Sequence, residues 1–253
     1  MTLRVKKILI SQPKPKTEKS PYFDIAEKYG VEMDFRPFIR VDGLDVKEFR
    51  QQRINIPDYS AIVFTAKIAI DHFFRLCEEL RVVMPETMKY FCISEAVALY
   101  LQKYIVYRKR KIFFSPTGKM DGLASALTKH NKEKFLVPVS DVHQDELTAI
   151  LEEKKVEYVK SVMYRTVSND ITEEEIMGYD MLVFFTPSGI LSLFKNAPNF
   201  VQGERAIGCF GPATSKAVAE AGLRLDCEAP KEGIPSMTAA LEHFLKENHS
   251  KKK

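Results

Sequence analysis

The sequence predicts an α/β protein made of two parallel-sheet domains joined by a pair of extended strands. Three observations carry that prediction. Short all-apolar runs, at 62–64, 181–185 and 206–210, are each bounded by turn residues, which is how a strand buried on both faces reads. Each run gives way across a short turn to a stretch with helical apolar spacing, the strand-then-helix alternation of a parallel sheet. The units also repeat. IVFTAKIAIDHFF (62–74) aligns with LVFFTPSGILSLF (182–194) with one insertion, and FCISEAVALYL (91–101) aligns with GCFGPATSKAV (208–218) without a gap. VEMDFRPFIRV (31–41) aligns with VEYVKSVMYRT (156–166). The repeat is out of phase with the chain. One domain takes residues 1–39 plus 168–253, the other takes 41–166, and segments 31–41 and 156–167 connect them. Such a connection resembles a hinge over a deep cleft faced by the strand-end loops of both domains.

In chain order, residues 5–11 read as a strand and Gln12 to Lys16 as a loop kept extended by two prolines. Ser20-Pro21 starts a helix that Gly30 stops. Val31 to Ile39 is extended, and Val41-Asp42-Gly43 ends it. Residues 44–53 read as a helix closed by Ile56-Pro57. Residues 59–74 give a strand, a turn at 65–67 and a helix, and residues 89–103 repeat this with the turn at Ser94-Glu95. A short strand, a loop over 115–122 and a helix Leu123–Leu127 follow. The strand FLVPV, a turn at Ser140-Asp141 and a helix from Asp145 to Glu153 come next. Val156 to Val167 is extended, and an acidic helix at 173–177 leads into the apolar run at 181. That run stops at TPSG (186–189), and the run at 206–210 stops at Gly211-Pro212; proline at a first helical position beside Thr or Gly marks a helix start. The chain ends in a strand Leu223–Cys227, a loop over 229–235 and a helix Ser236–Leu245.

Composition excludes several classes. The chain has 253 residues, 45% apolar and 28% charged, in the range of a soluble globular protein. No apolar run approaches the roughly 20 residues that span a bilayer, and Ile8–Ile10 is too short for a signal peptide; the expected compartment is the cytoplasm, with no membrane contact. The formal charge of +4 includes the tail Lys251 to Lys253, read as disordered, and the near-neutral remainder argues against nucleic acid. Cys77, Cys92, Cys209 and Cys227 show no C-x-x-C spacing and read as free core thiols. His72, His130, His143, His243 and His249 are scattered, fall mostly on polar faces and read as surface residues, so no metal constellation is expected. A nucleophile elbow, a dinucleotide fingerprint and a P-loop are all absent.

What recurs is a set of hydroxyl and glycine turns at helix starts: Ser11, Thr65 to Lys67, Ser94, Thr117-Gly118, Ser140, Thr186 to Gly189 with Ser188, Gly211 to Thr214 with Ala213, and Ser236. Ordinary capping accounts for any one of them. The set, at the strand ends of two facing domains, reads equally as a distributed anion site suited to a polycarboxylate.

At this point the chain resembles the uroporphyrinogen-III synthase family. LVFFTPSGILSLF (182–194) is similar to that family's strand followed by F-T-S-P-S-G-V, and IGCFGPATSKAVAEAGL (207–223) to its I-G-x-x-T-A-x-A turn and helix. Residues 134–166 are similar to its strand, loop, helix and V-x-x-V-x-x-Y-x-T stretch. The resemblance implies two flavodoxin-like domains joined by a two-stranded β-ladder, a monomer, no cofactor, and conversion of linear hydroxymethylbilane to uroporphyrinogen III. It makes Tyr164 the candidate general acid. It makes Ser11, Thr65, Lys67, Ser94, Ser140, Thr186, Ser188, Gly189, Gly211, Ala213 and Thr214 the candidate contacts to substrate. The partner contact it implies is a transient handover from hydroxymethylbilane synthase. Gln12, Ala66, Glu95 and Val97 depart from the family pattern, which leaves backbone amides as the donors around them. The alternative class is a non-catalytic two-domain binder of a small ligand.

Overall fold

The computed structural model describes residues 5–142 and 146–250. His143, Asp145 and the lysine tail lie outside them, as does the side chain of His249. In chain order the elements are β1 (Lys7–Ile10), α1 (Pro21–Tyr29), β2 (Glu32–Phe35), β3 (Ile39–Gly43), α2 (Val46–Gln51), β4 (Ala61–Phe64) and α3 (Lys67–Glu79). Then come β5 (Lys89–Cys92), α4 (Glu95–Tyr100), β6 (Ile112–Phe114), α5 (Met120–Lys129), β7 (Phe135–Ser140), α6 (Glu146–Glu153) and β8 (Tyr158–Ser168). The remainder is α7 (Glu173–Met177), β9 (Met181–Phe184), α8 (Pro187–Asn196), β10 (Ala206–Phe210), α9 (Pro212–Glu220), β11 (Cys227–Ala229) and α10 (Met237–Ser250).

The chain divides into two compact units, Met1–Arg40 with Val167–Lys253, and Val41–Thr166. In the first, the sheet order is β11-β10-β9-β1-β2, every pair parallel. Counted along the chain this is 2-1-3-4-5, the order of flavodoxin-like sheets. β9 is wholly buried, and one apolar cluster covers each face of the sheet: Ile8, Ile10, Met181 and Leu241 on one, Leu9, Leu182, Phe184 and Ile207 on the other.

In the second unit the order is β3-β8-β7-β4-β5-β6, with β8 to β6 joined by parallel pairs. Counting from β7, β8, β4, β5 to β6 gives the same 2-1-3-4-5 order, now circularly permuted. This is the spatial counterpart of the out-of-phase sequence repeat. Two clusters again sandwich the sheet, one around Ile62, Phe64, Phe73 and Leu136, the other around Val63, Phe91, Leu123 and Val137.

Several boundaries differ from the sequence expectation. Ile39–Gly43 is a strand in its own right, not the end of the preceding one. α5 begins at Met120 and runs through Gly122, because a glycine there leaves room for Ser115; an added Cβ would lie 2.2 Å from its Oγ. The last strand is Cys227–Ala229, since Leu223 and Leu225 pack against the helical layer and pairing with β10 starts only at Gly208 opposite Cys227. The final helix extends to Ser250.

Candidate functional site

A sheet of this order has its switch point between the first and third strands, where the following turns diverge and a ligand crevice opens at the carboxyl ends. In the first unit that point lies between β1 and β9, and the residues there are Ser11 and the turn from Thr186. The Ser11 N–H donates to the Val183 carbonyl at 2.9 Å, closing the end of the pair. Thr186 caps α8: its Oγ1 accepts from the Gly189 N–H at 3.2 Å, so the capping reading holds for this hydroxyl. Pro187 has no N–H to give. The second helical amide has no intrahelical partner, so Ser188 presents both its N–H and its hydroxyl.

α9 starts differently. Its N-cap, Gly211, has φ +91°, a backbone conformation that glycine alone adopts without strain. The Gly211 carbonyl accepts from the N–H groups of Thr214 and Ser215, each at 3.0 Å. That leaves the Ala213 N–H as the open donor of the first turn. Thr214 is buried to 2% exposure. Ser215, not anticipated from the sequence, donates its hydroxyl to Glu228 and lies 3.2 Å from the Cys209 sulfur. Burial raises the Cys209 thiol above its ordinary value, so it stays protonated. All four cysteines are free and buried.

In the second unit the switch point lies between β7 and β4, where Ser140 and Thr65 stand. These two and Tyr164 line a cavity of about 320 Å³, whose apolar wall includes Val137, Val139 and Leu147. α3 begins after Ala66, which has no capping side chain, so its first-turn N–H groups are open. Lys67, at the first helical position, lies with its ammonium 5.4 Å from the Tyr100 ring centre. Ser94 caps α4, accepting from the Val97 N–H at 3.4 Å. The Ser140 hydroxyl donates to Asp141 at 2.8 Å, and the same carboxylate oxygen accepts from the N–H groups of Val142 and Thr166. Through these bonds the Asp141 carboxylate ties the end of β7 to β8.

Tyr164 owes its place to a β-bulge. Val139 pairs with Val162, but Ser140 pairs with Tyr164, so one residue of β8 is skipped. Strict alternation would turn one of Met163 and Tyr164 outward. The bulge re-aims them, and both join the same buried cluster. Burial raises the Tyr164 phenol above its ordinary value of 10.0, which keeps it protonated at neutral pH.

His72 is a correction. The sequence placed it on a surface, but its imidazole stacks on Tyr164 with ring centres 5.2 Å apart and planes 18° from parallel. Both ring nitrogens are buried without a hydrogen-bond partner. No sequence signal distinguished this histidine, since it sits on the flank of α3 beside the buried Ala69 and Phe73. Burial, reinforced by the nearby Arg75 guanidinium, lowers its pKa below 6.5, against weaker opposing pulls from Asp71 and Asp42. A histidine held neutral by folding contributes stability above its unfolded pKa and loses that contribution as pH falls through the lower folded value. The melting temperature is therefore expected to fall more steeply below pH 6.5 for the natural chain than for His72→Phe. Parallel curves from calorimetry across that range would refute the assignment.

Among the described residues no group of His, Cys, Asp and Glu could hold a metal ion, and no helix is long and apolar enough to cross a membrane. A family model for uroporphyrinogen-III synthase (HemD) matches residues 21–239. Uroporphyrinogen-III synthetase from Helicobacter pylori superposes with a TM-score of 0.60 at 18% identity, over 96% of this chain and 99% of that one. A mutant uroporphyrinogen III synthase from the extremely thermophilic bacterium Thermus thermophilus superposes with a TM-score of 0.56 at 15% identity, over 98% of this chain and 100% of that one. At such identities the superpositions speak for the fold, and the family match spans most of the sequence. The chain belongs to the uroporphyrinogen-III synthase family.

Proposed function

We propose that this member of the family cyclises hydroxymethylbilane to uroporphyrinogen III, with Tyr164 as general acid and the helix-start turns as carboxylate donors. The observation that carries the reading is the bulge in β8, which turns a protonated phenol into the wall of the switch-point cavity. In the proposed sequence the phenol gives its proton to the hydroxymethyl oxygen as the C–O bond breaks. Water leaves, and a pyrrole cation (an azafulvene) remains. The last ring attacks that carbon through its own substituted position, forming a spiro intermediate. The bond from the spiro carbon to its original bridging methylene then breaks, leaving a second azafulvene on the neighbouring ring. The free α-carbon of the inverted last ring closes on that methylene, and the proton it loses as the pyrrole regains aromaticity returns to the tyrosinate. Water is the net loss, so the step is a lyase reaction without a cofactor.

The substrate carries eight carboxylates, and positioning accounts for most of the rate gain. Within the first unit the Ser188 N–H and hydroxyl, the Ala213 N–H and the Thr214 hydroxyl are the donors; Ser11 and the backbone of Gly189 and Gly211 shape the turns. Within the second unit the donors are the open amides of α3 with Lys67 and Thr65, and those of α4 behind Ser94. We further propose a two-domain protein whose connecting ladder is the β3 and β8 pair, since the chain passes between units within these two neighbouring strands. A cytoplasmic monomer that receives substrate from hydroxymethylbilane synthase completes the reading.

A coupled assay tests it. Hydroxymethylbilane is generated in place, the protein is added, and the oxidised porphyrins are separated by isomer. Isomer III above the protein-free control is the expected result; isomer I alone from folded protein would overturn the proposal. Thr214→Ala is expected to lower kcat/KM about 10- to 100-fold, the value of a hydrogen bond to a charged group. Removal of its buried methyl group should cost about 1 kcal/mol of stability alongside. Equal losses of stability and activity would make it a packing residue only.

A further inference from the structure

We propose that His72 is the positioning residue for Tyr164, fixing the plane of the phenol through the stack; this rests on the reading of Tyr164 as the acid. The geometry is closed around that contact. Gly43 of β3 passes so near that an added Cβ would lie 2.7 Å from His72 Nδ1 and 2.6 Å from Arg75 Nη2. Arg75, one turn along α3, donates from Nη2 to the Leu44 carbonyl at 2.6 Å and from Nη1 to Glu79 at 2.7 Å. The Leu44 N–H in turn donates to the Met163 carbonyl at 2.9 Å, beside Tyr164 on β8. Helix, edge strand and bulged strand are thus tied at three points around one pair of rings.

Among the described residues no hydrogen bond orients either ring. The imidazole nitrogens have no partner, and among the described residues the phenol hydroxyl makes none. Ring-on-ring contact is then what sets the phenol plane, and with it the direction of the O–H. Buried polar atoms without partners are rare in native proteins and call for an explanation. Here the explanation is a flat ring, thin enough to fit between Gly43 and Tyr164. An aliphatic side chain fills the volume without supplying the plane.

The test uses the full chain with carbon-13-labelled tyrosine, the Tyr164 signal being assigned by its loss in Tyr164→Phe. His72→Phe, His72→Leu and His72→Ala are compared by that signal and in the coupled assay. His72→Leu and His72→Ala should shift the signal, and lower kcat about 10- to 100-fold with KM little changed, as a small misplacement of a reacting group does. His72→Phe should restore both. His72→Leu keeps the core filled, so a folded protein remains even where His72→Ala fails to fold. If His72→Leu turns over as fast as His72→Phe while Tyr164→Phe is impaired, the positioning role is overturned and the acid stands. If Tyr164→Phe itself turns over normally, the acid reading falls and this inference with it.

Discussion

Replacing Tyr164 by phenylalanine is expected to lower kcat by about 10²–10⁴-fold, the range for loss of a positioned general acid, while KM stays near its natural value. The ring survives, so the stack on His72 and the packing in the cluster around Phe64 and Met163 survive with it. The hydroxyl makes no hydrogen bond among the described residues, so its removal leaves no partner stranded and stability should hold. The products should change too. When enzymatic closure slows, spontaneous closure of the same linear substrate competes, and the isomer I fraction rises. Steady-state kinetics with isomer analysis, alongside circular dichroism, checks both halves. An unchanged kcat in a folded variant would remove Tyr164 as the acid.

The largest stability loss is expected from Phe184→Ala, about 3–5 kcal/mol by the usual cost of emptying a buried phenylalanine site. Phe184 is fully buried at the carboxyl end of β9, with its ring edge-on to Phe38 at 5.2 Å. It also packs beneath the TPSG turn: a Cβ at Gly189 would lie 3.2 Å from its ring. The same deletion that weakens the first unit should therefore loosen the turn that presents Ser188. Chemical denaturation should show the loss, and the surviving folded fraction should show a raised KM. Phe184→Leu, which retains much of the apolar contact, should lose less on both counts. A Phe184→Ala variant as stable as the natural chain would mean that the site collapses and refills.

Much of the fold was legible in the sequence because the signals are local. Met181–Phe184 and Ala206–Phe210 are buried on both faces, so their apolar runs needed no knowledge of neighbours to be read as strands. Pro21, Pro187 and Pro212 each mark a helix start, since the missing N–H costs nothing there. The permuted repeat was legible because both units use the same strand order. The strand at 227–229 was misplaced for the converse reason. Leu223 and Leu225 have strand-like alternation but spend it on packing against the first unit's helices, and only pairing with Gly208 fixes where the strand lies.

The site was legible as residues and not as roles. Sequence alone determined the two α/β units and the turns at their strand ends, since each depends on residues close together in the chain or on a repeated pattern, and the resemblance to the family singled out Tyr164. Tertiary structure alone decided which hydroxyls are already committed. Thr186 caps its own helix, and the Ser140 hydroxyl donates to Asp141. It alone turned Tyr164 inward, because a bulge is a mismatch between two strands and neither strand carries it by itself. It alone set His72 against that ring, because a contact between distant parts of the chain leaves no mark in the spacing of either.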